Sequence, residues 1–186
     1  MQPVRSASLV SHSGAPSVAI QSIEVRAEVS ASGIALFRYV LRGDIPRLRL
    51  PAAATPERAN DLWKHSCVEA FIRPDEAAGY YELNFSPSGQ WAVYRFTAYR
   101  EGMSSPDIET PPEISVRRFT DRLEVDAAVR LRELTGLQGT RRLRVGLATV
   151  VEDDNGRLSY WALRHAPGKA DFHCPDGFAV ELQGIA

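Results

Sequence analysis

No stretch of about 12 residues or more carries apolar side chains at helical spacing. Instead, about ten short runs rich in β-branched and aromatic residues recur with turn residues between them. A chain punctuated in this way buries its apolar side chains by stacking pleated sheets. The pattern therefore predicts an all-β fold, an antiparallel, jelly-roll-like β-sandwich of about ten strands. Many of the 13 Gly and 12 Pro fall between the runs, where turns need a positive or a fixed φ.

Ile23, Val25, Ala27 and Val29 alternate with Glu24, Arg26 and Glu28, the two-residue period of a strand with one wet face. Ser-Ala-Ser-Gly at 30–33 turns the chain into GIALFRYVLRG, the returning strand. Residues 43–62, with three Pro and three successive Ala, read as a long loop with a helical turn over 57–62. CVEAFIR, YYELNFS and QWAVYRFTAYR form a meander, followed by ISVRRF and LEVDAAV and then a helical turn around 131–137. RLRVGLATVVED and LSYWAL flank Asp154-Asn155-Gly156, a strong hairpin signal, and FAVEL closes the chain. Residues 1–16 are Ser-rich and aperiodic and read as a short disordered lead-in, with order beginning near Val18. Residues 17–186 read as one domain without internal repeats.

The chain balances 22 basic against 23 acidic side chains for a formal net charge of -1. That balance supplies no attraction for polyanions, so neither nucleic acid nor an anionic membrane is expected as a partner. No apolar run approaches the roughly 20 residues that cross a bilayer. The N-terminus has no uninterrupted apolar centre, which makes a cytoplasmic location the expectation. Cys67 and Cys174 are too few for a disulfide framework and read as free thiols, with one bridge open to them.

The meander carries the most chemical information. Val68, Ala70 and Ile72 share a core face with Tyr81, Leu83 and Phe85, which leaves Cys67, Glu69, Phe71, Tyr80, Glu82 and Asn84 on the other face. Trp91, Val93 and Arg95 alternate with Ala92, Tyr94 and Phe96, and either set fits that mixed face. Interleaved rings, carboxylates, amide and guanidinium suit a neutral, hydroxyl-rich ligand, since flat rings stack on a sugar while polar groups bond its hydroxyls. The same residues also fit a cross-strand ion pair among core aromatics. Glu69 and Glu82 would serve an enzyme reading as the paired carboxylates of glycoside hydrolysis. A Cys67–His165 nucleophile pair is a formal alternative, although a strand cysteine reads as an inert buried thiol. The late segment gathers Trp161, His165, Lys169, Asp171, His173, Cys174 and Asp176. His165, His173 and Cys174 are acceptable ligands for a divalent metal at no standard spacing, and turn-capping is the simpler role. Residues 152–155 could suggest calcium, but a hairpin tip explains them.

Taken together, LRGDI, LWKHSCVEAFIRP, YYELNFSPSGQWAVYRFTAYR and YWALRHAPGKADFHCPDGFAVEL resemble the DOMON-like proteins of bacteria, relatives of family 9 carbohydrate-binding modules, over residues 18–183. The resemblance implies a jelly-roll sandwich without catalysis of its own, binding sugars in one branch and haem in another. In the sugar-binding branch two Trp rings clasp the ligand beside a carboxylate and an Arg. Trp63 and Glu69 match that pattern, Trp161 would be the second ring, and Arg95 the partner. Haem would use Met103 with His65 or His165 as axial ligands. The ligand-binding set expected from the sequence is Trp63, Glu69, Asn84, Trp91, Arg95, Trp161 and His165, with no catalytic residue and no metal ligand assigned, and with haem or a divalent metal as the alternative. No protein partner is specified.

Overall fold

In the computed structural model, which describes residues 4–184, the strands are β1 (Arg5–Ser11), β2 (Ile20–Val29), β3 (Ile34–Gly43), β4 (Cys67–Pro74), β5 (Tyr80–Phe85), β6 (Trp91–Phe96), β7 (Glu113–Arg118), β8 (Arg122–Arg130), β9 (Arg142–Glu152), β10 (Leu158–Ala162) and β11 (Val180–Gln183). Every pairing among them is antiparallel, in the order β6-β5-β4-β9-β10-β1-β2-β3-β8-β7, with β11 beside the first half of β9. The all-β sandwich expected from the pattern is the observed fold. The order folds over at β1, whose Arg5–Leu9 pair with β2 while Val10 and Ser11 pair with β10.

Ordered backbone thus begins well before Val18. Arg5–Ser11 lies in the segment whose composition reads as lead-in, yet it is a strand because β2 pairs with its first five residues and β10 with its last two. Backbone pairing along its length holds a Ser-rich stretch that has too few apolar side chains to show a period.

The alternating apolar rows of β2, β3 and β8 face those of β4, β5, β6 and β9 in one continuous core. Phe37 and Phe85 meet across the layers with ring centroids 6.3 Å apart, and the Tyr39 hydroxyl donates to the Glu69 carbonyl at 2.7 Å. The β9–β10 hairpin forms at Asp154-Asn155-Gly156, but of these only Gly156 takes a positive φ, 75°; the Gly156 N–H to Asp153 carbonyl bond closes a three-residue loop ending on a left-handed glycine rather than the two-residue turn. The helical turns fall at Ile45–Arg47, Leu62–Lys64, Leu131–Glu133 and Pro175–Gly177, so the turn expected over 57–62 forms slightly later.

The β6-β5-β4-β9-β10 layer is buried on both faces. Its outer face carries a second apolar cluster of Phe71, Tyr80, Phe96, Ala148, Ala162 and Phe178, with Tyr94 and Phe172 packed against it. Connecting loops cover that face, and a cavity lies between them and the sheet.

Candidate functional site

The cavity follows from strand register. On β4 and β5, Glu69 stands opposite Asn84 and Phe71 opposite Glu82, while on β6 Tyr94 stands opposite Glu82. On β9 and β10, Val150 stands opposite Tyr160. These residues alternate with the core row and so share the outer face. Above them is a space of about 1230 Å³, lined from the sheet by Glu69, Glu82, Tyr94, Phe96, Val150 and Tyr160. Its walls come from three loops: 57–64 brings Asn60, Asp61 and Trp63, 97–106 brings Arg100, Met103, Ser104 and Ser105, and 164–173 brings Lys169, Phe172 and His173. His12, just beyond β1, completes the lining on that side.

The wall loops are held in uncommon backbone conformations. Among the described residues, the two non-glycine positions at positive φ are Asp61 (62°) and Arg100 (55°), and both line the cavity. Such residues persist where their surroundings fix them. Arg100 is fixed by Asp171, which accepts its guanidinium at 2.7 Å and the Tyr99 hydroxyl at 2.5 Å, so two walls are joined across the sheet. Asp61 precedes the turn that presents Trp63 and pairs with Lys64 at 2.8 Å.

The floor is electrostatically unusual. Glu69 is only 3% exposed, and its Oε1 has no hydrogen-bond partner. Burial, and then the nearby Glu82, push its carboxyl well above the usual range. Burial also raises Glu82, against the opposing pull of a hydrogen bond from Asn84 Nδ2 at 2.8 Å and of the Arg100 charge. His173 is held down to about 4 by burial and by Arg100, so its ring is neutral at neutral pH. The Tyr80 hydroxyl accepts the Arg100 N–H at 3.1 Å and lies 2.7 Å from His173 Nδ1. His173 Nε2 lies 3.6 Å from Glu82 Oε2, so the tautomer with its proton on Nε2 turns a donor toward that carboxyl and takes the Tyr80 hydroxyl proton at Nδ1.

Trp63, 47% exposed, and Glu69 line the cavity together. Asn84 lies directly behind, fully buried, with Oδ1 unpartnered. Trp91 and Trp161 lie elsewhere. Trp91 pairs with Phe85 and Trp161 with Thr149, so register turns both indoles into the core on the opposite face. Arg95 belongs to the Trp91 row at the exposed end of β6, where its backbone bridges Ser104. His165 stands one ring behind the lining, edge-on to His12 at 4.9 Å, with Nε2 donating to the Val10 carbonyl at 2.8 Å. Tyr94, Arg100, Tyr160, Phe172 and His12 line the cavity without having been singled out. Only Tyr94 left a trace in the sequence, as one of the two alternating sets of β6.

The cofactor ligands considered from the sequence do not converge. Met103 is on the cavity, whereas neither His65 nor His165 lines it; His65 is bonded to Glu152 at 2.7 Å beside the β9–β10 hairpin. These residues do not fit a haem ligand pair. Among the described residues, no group of three or more His, Cys, Asp or Glu side chains is arranged to hold a metal ion. Cys67 and Cys174 are free, and burial followed by Glu69 raises the Cys67 thiol, which opposes a nucleophilic role. At the hairpin tip, Asp153 caps the turn by accepting the Asn155 and Arg157 amides.

No family model and no curated protein matches the sequence. Solved structures do. A Bacteroides uniformis protein with a proposed role in carbohydrate binding superposes with a TM-score of 0.71 at 15% identity, covering 98% of this chain and 86% of that one. A family 9 carbohydrate-binding module from Caldicellulosiruptor kristjanssonii, solved with cellotriose, gives 0.57 at 15% identity over 97% and 82%. At that identity the likeness is one of fold.

Proposed function

We propose that the cavity binds a mono- or short oligosaccharide without chemical turnover. The observation that carries this reading is the exposed Trp63 indole lining the same cavity as the buried Glu69, whose Oε1 lacks a partner. A sugar ring offers an apolar face to the indole and hydroxyl groups to that oxygen, and leaving it unpaired is costly. The fold shared with a module solved with cellotriose supports the reading. Isothermal titration calorimetry against glucose, cellobiose, cellotriose and a panel of other hexoses tests it. At least one saccharide should bind with a millimolar or tighter Kd, and Trp63→Ala should weaken it about tenfold, the order of a lost stacking contact. If no saccharide binds, or if Trp63→Ala binds as well as the parent, the reading fails.

A further inference from the structure

The floor holds two carboxyls that make no ion pair with Lys or Arg among the described residues, although the Arg100 charge acts on Glu82 from a distance. Glu69 on β4 is diagonal to Glu82 on β5, because Glu69 faces Asn84 and Glu82 sits two residues before it on the same face. Diagonal positions on paired strands lie about 7–8 Å apart at the backbone, so the ends of two glutamates there can share one small cation. Most charged groups lining the cavity are already engaged, Lys169 excepted. Arg100 is bound to Asp171, and Asp61 to Lys64. His173 is neutral at neutral pH, since its pKa is held near 4. Lys169 lies on the rim and makes no ion pair among the described residues. The buried atom left open on the cavity is Glu69 Oε1, an acceptor once its carboxyl ionises.

Resting on the saccharide reading, we propose that this site selects a sugar bearing a protonated amine, its ammonium seated between Glu69 and Glu82. An ammonium brings three N–H donors and no lone pair, so it answers a floor of acceptors. A hydroxyl brings one donor with lone pairs that the floor cannot satisfy. The charge matters as much as the count. Two carboxylates withheld from water are costly unless paired, and a cation between them lets both ionise. The surrounding rings of Trp63, Tyr94 and Tyr160 add faces that attract a cation.

The experiment uses matched hexoses in the gluco, galacto and manno series, each as the parent sugar, the 2-amino sugar and the N-acetylated sugar, titrated calorimetrically near pH 7. In the series that binds, the 2-amino sugar should exceed its parent by about tenfold, the margin of charge-assisted over neutral hydrogen bonds. Acetylation, which removes the charge, should abolish the gain. Glu69→Gln and Glu82→Gln keep the side-chain volume, and each should erase the preference while thermal melts confirm folding. A parent sugar that binds as well as its amine overturns the inference and leaves the saccharide reading standing, as does a preference that survives both Gln variants. Failure of every sugar to bind overturns both.

Discussion

Register turns Trp161 to the core face of the layer, whereas the 57–64 loop brings Trp63 to the cavity on its other face, so truncating each should damage a different property. Trp161 is 5% exposed and packed in the continuous core, where its indole N–H reaches Ser159 at 3.3 Å. Replacing such a side chain with Ala removes its transfer energy and leaves a cavity, at a cost of about 3–5 kcal/mol. In a chain of this length each kcal/mol moves Tm by roughly 2–4 °C, so Trp161→Ala should melt roughly 6–20 °C lower. Trp63 is 47% exposed, sits outside both apolar clusters, and has the Lys64 ammonium 5.5 Å from its ring centroid. Trp63→Ala should therefore cost about 1 kcal/mol or less, a shift within roughly 4 °C, while removing the face on which a sugar would stack. Differential scanning calorimetry measures the first quantity and titration with the best-binding saccharide the second. The milder Trp161→Phe should bind sugar unchanged. The placement of the rings would be refuted if Trp63→Ala melted as low as Trp161→Ala, or if Trp161→Phe lost affinity at unchanged Tm.

The floor carboxyls and the buried imidazole should leave opposite marks on pH dependence. Burial raises Glu69 above its ordinary 4.5, so the folded chain holds a proton that the unfolded chain releases. This contribution is fully present below about pH 4.5 and is lost as pH rises through the raised value. Glu69→Gln should thus match the parent near pH 4 in urea unfolding and exceed it near pH 8; a parent whose advantage over the variant grows with pH contradicts the assignment. His173, lowered to about 4, disfavours the folded state as pH falls from its ordinary 6.5 towards that value. Its imidazole resonances should titrate near 4 by NMR and report an Nε2–H tautomer, and a midpoint near 6.5 would rule out the network through Tyr80.

How much of this was legible beforehand depends on whether a residue sits in a period. The division of β4 and β5 into a core row and a mixed row was readable because Val68, Ala70 and Ile72 and then Tyr81, Leu83 and Phe85 alternate without interruption. Residues Trp91–Phe96 were not, since both of their alternating sets are part apolar in a layer buried on two faces. There only the pairing of Trp91 with Phe85 decides the side. Trp161 misleads for the same reason, because an indole in a two-sided layer is equally at home in core and cavity. Arg100, Phe172 and Asp61 belong to loops, where position comes from contacts such as Arg100–Asp171 rather than from spacing.

Trp91 nonetheless bears on the cavity, by a route that the sequence does not display. The Arg58 guanidinium lies 4.6 Å from the Trp91 ring centroid and donates to the Val93 carbonyl at 3.1 Å, to the Ser105 hydroxyl at 2.8 Å and to the Pro106 carbonyl at 2.6 Å. Arg58 belongs to the loop that carries Asn60, Asp61 and Trp63, and Ser105 to the loop that carries Arg100 and Met103. One planar, five-donor group thereby ties both wall loops to the same edge strand, its orientation set by a core indole. A lysine could supply the charge but not the fork that spans three acceptors, nor the flat face that stacks. The loops that shape the site are therefore anchored from the core side of β6. Core packing and the spacing of the cavity walls form a single mechanical problem, because the loops that bring Trp63 and Arg100 to the cavity are tied to a core indole through Arg58.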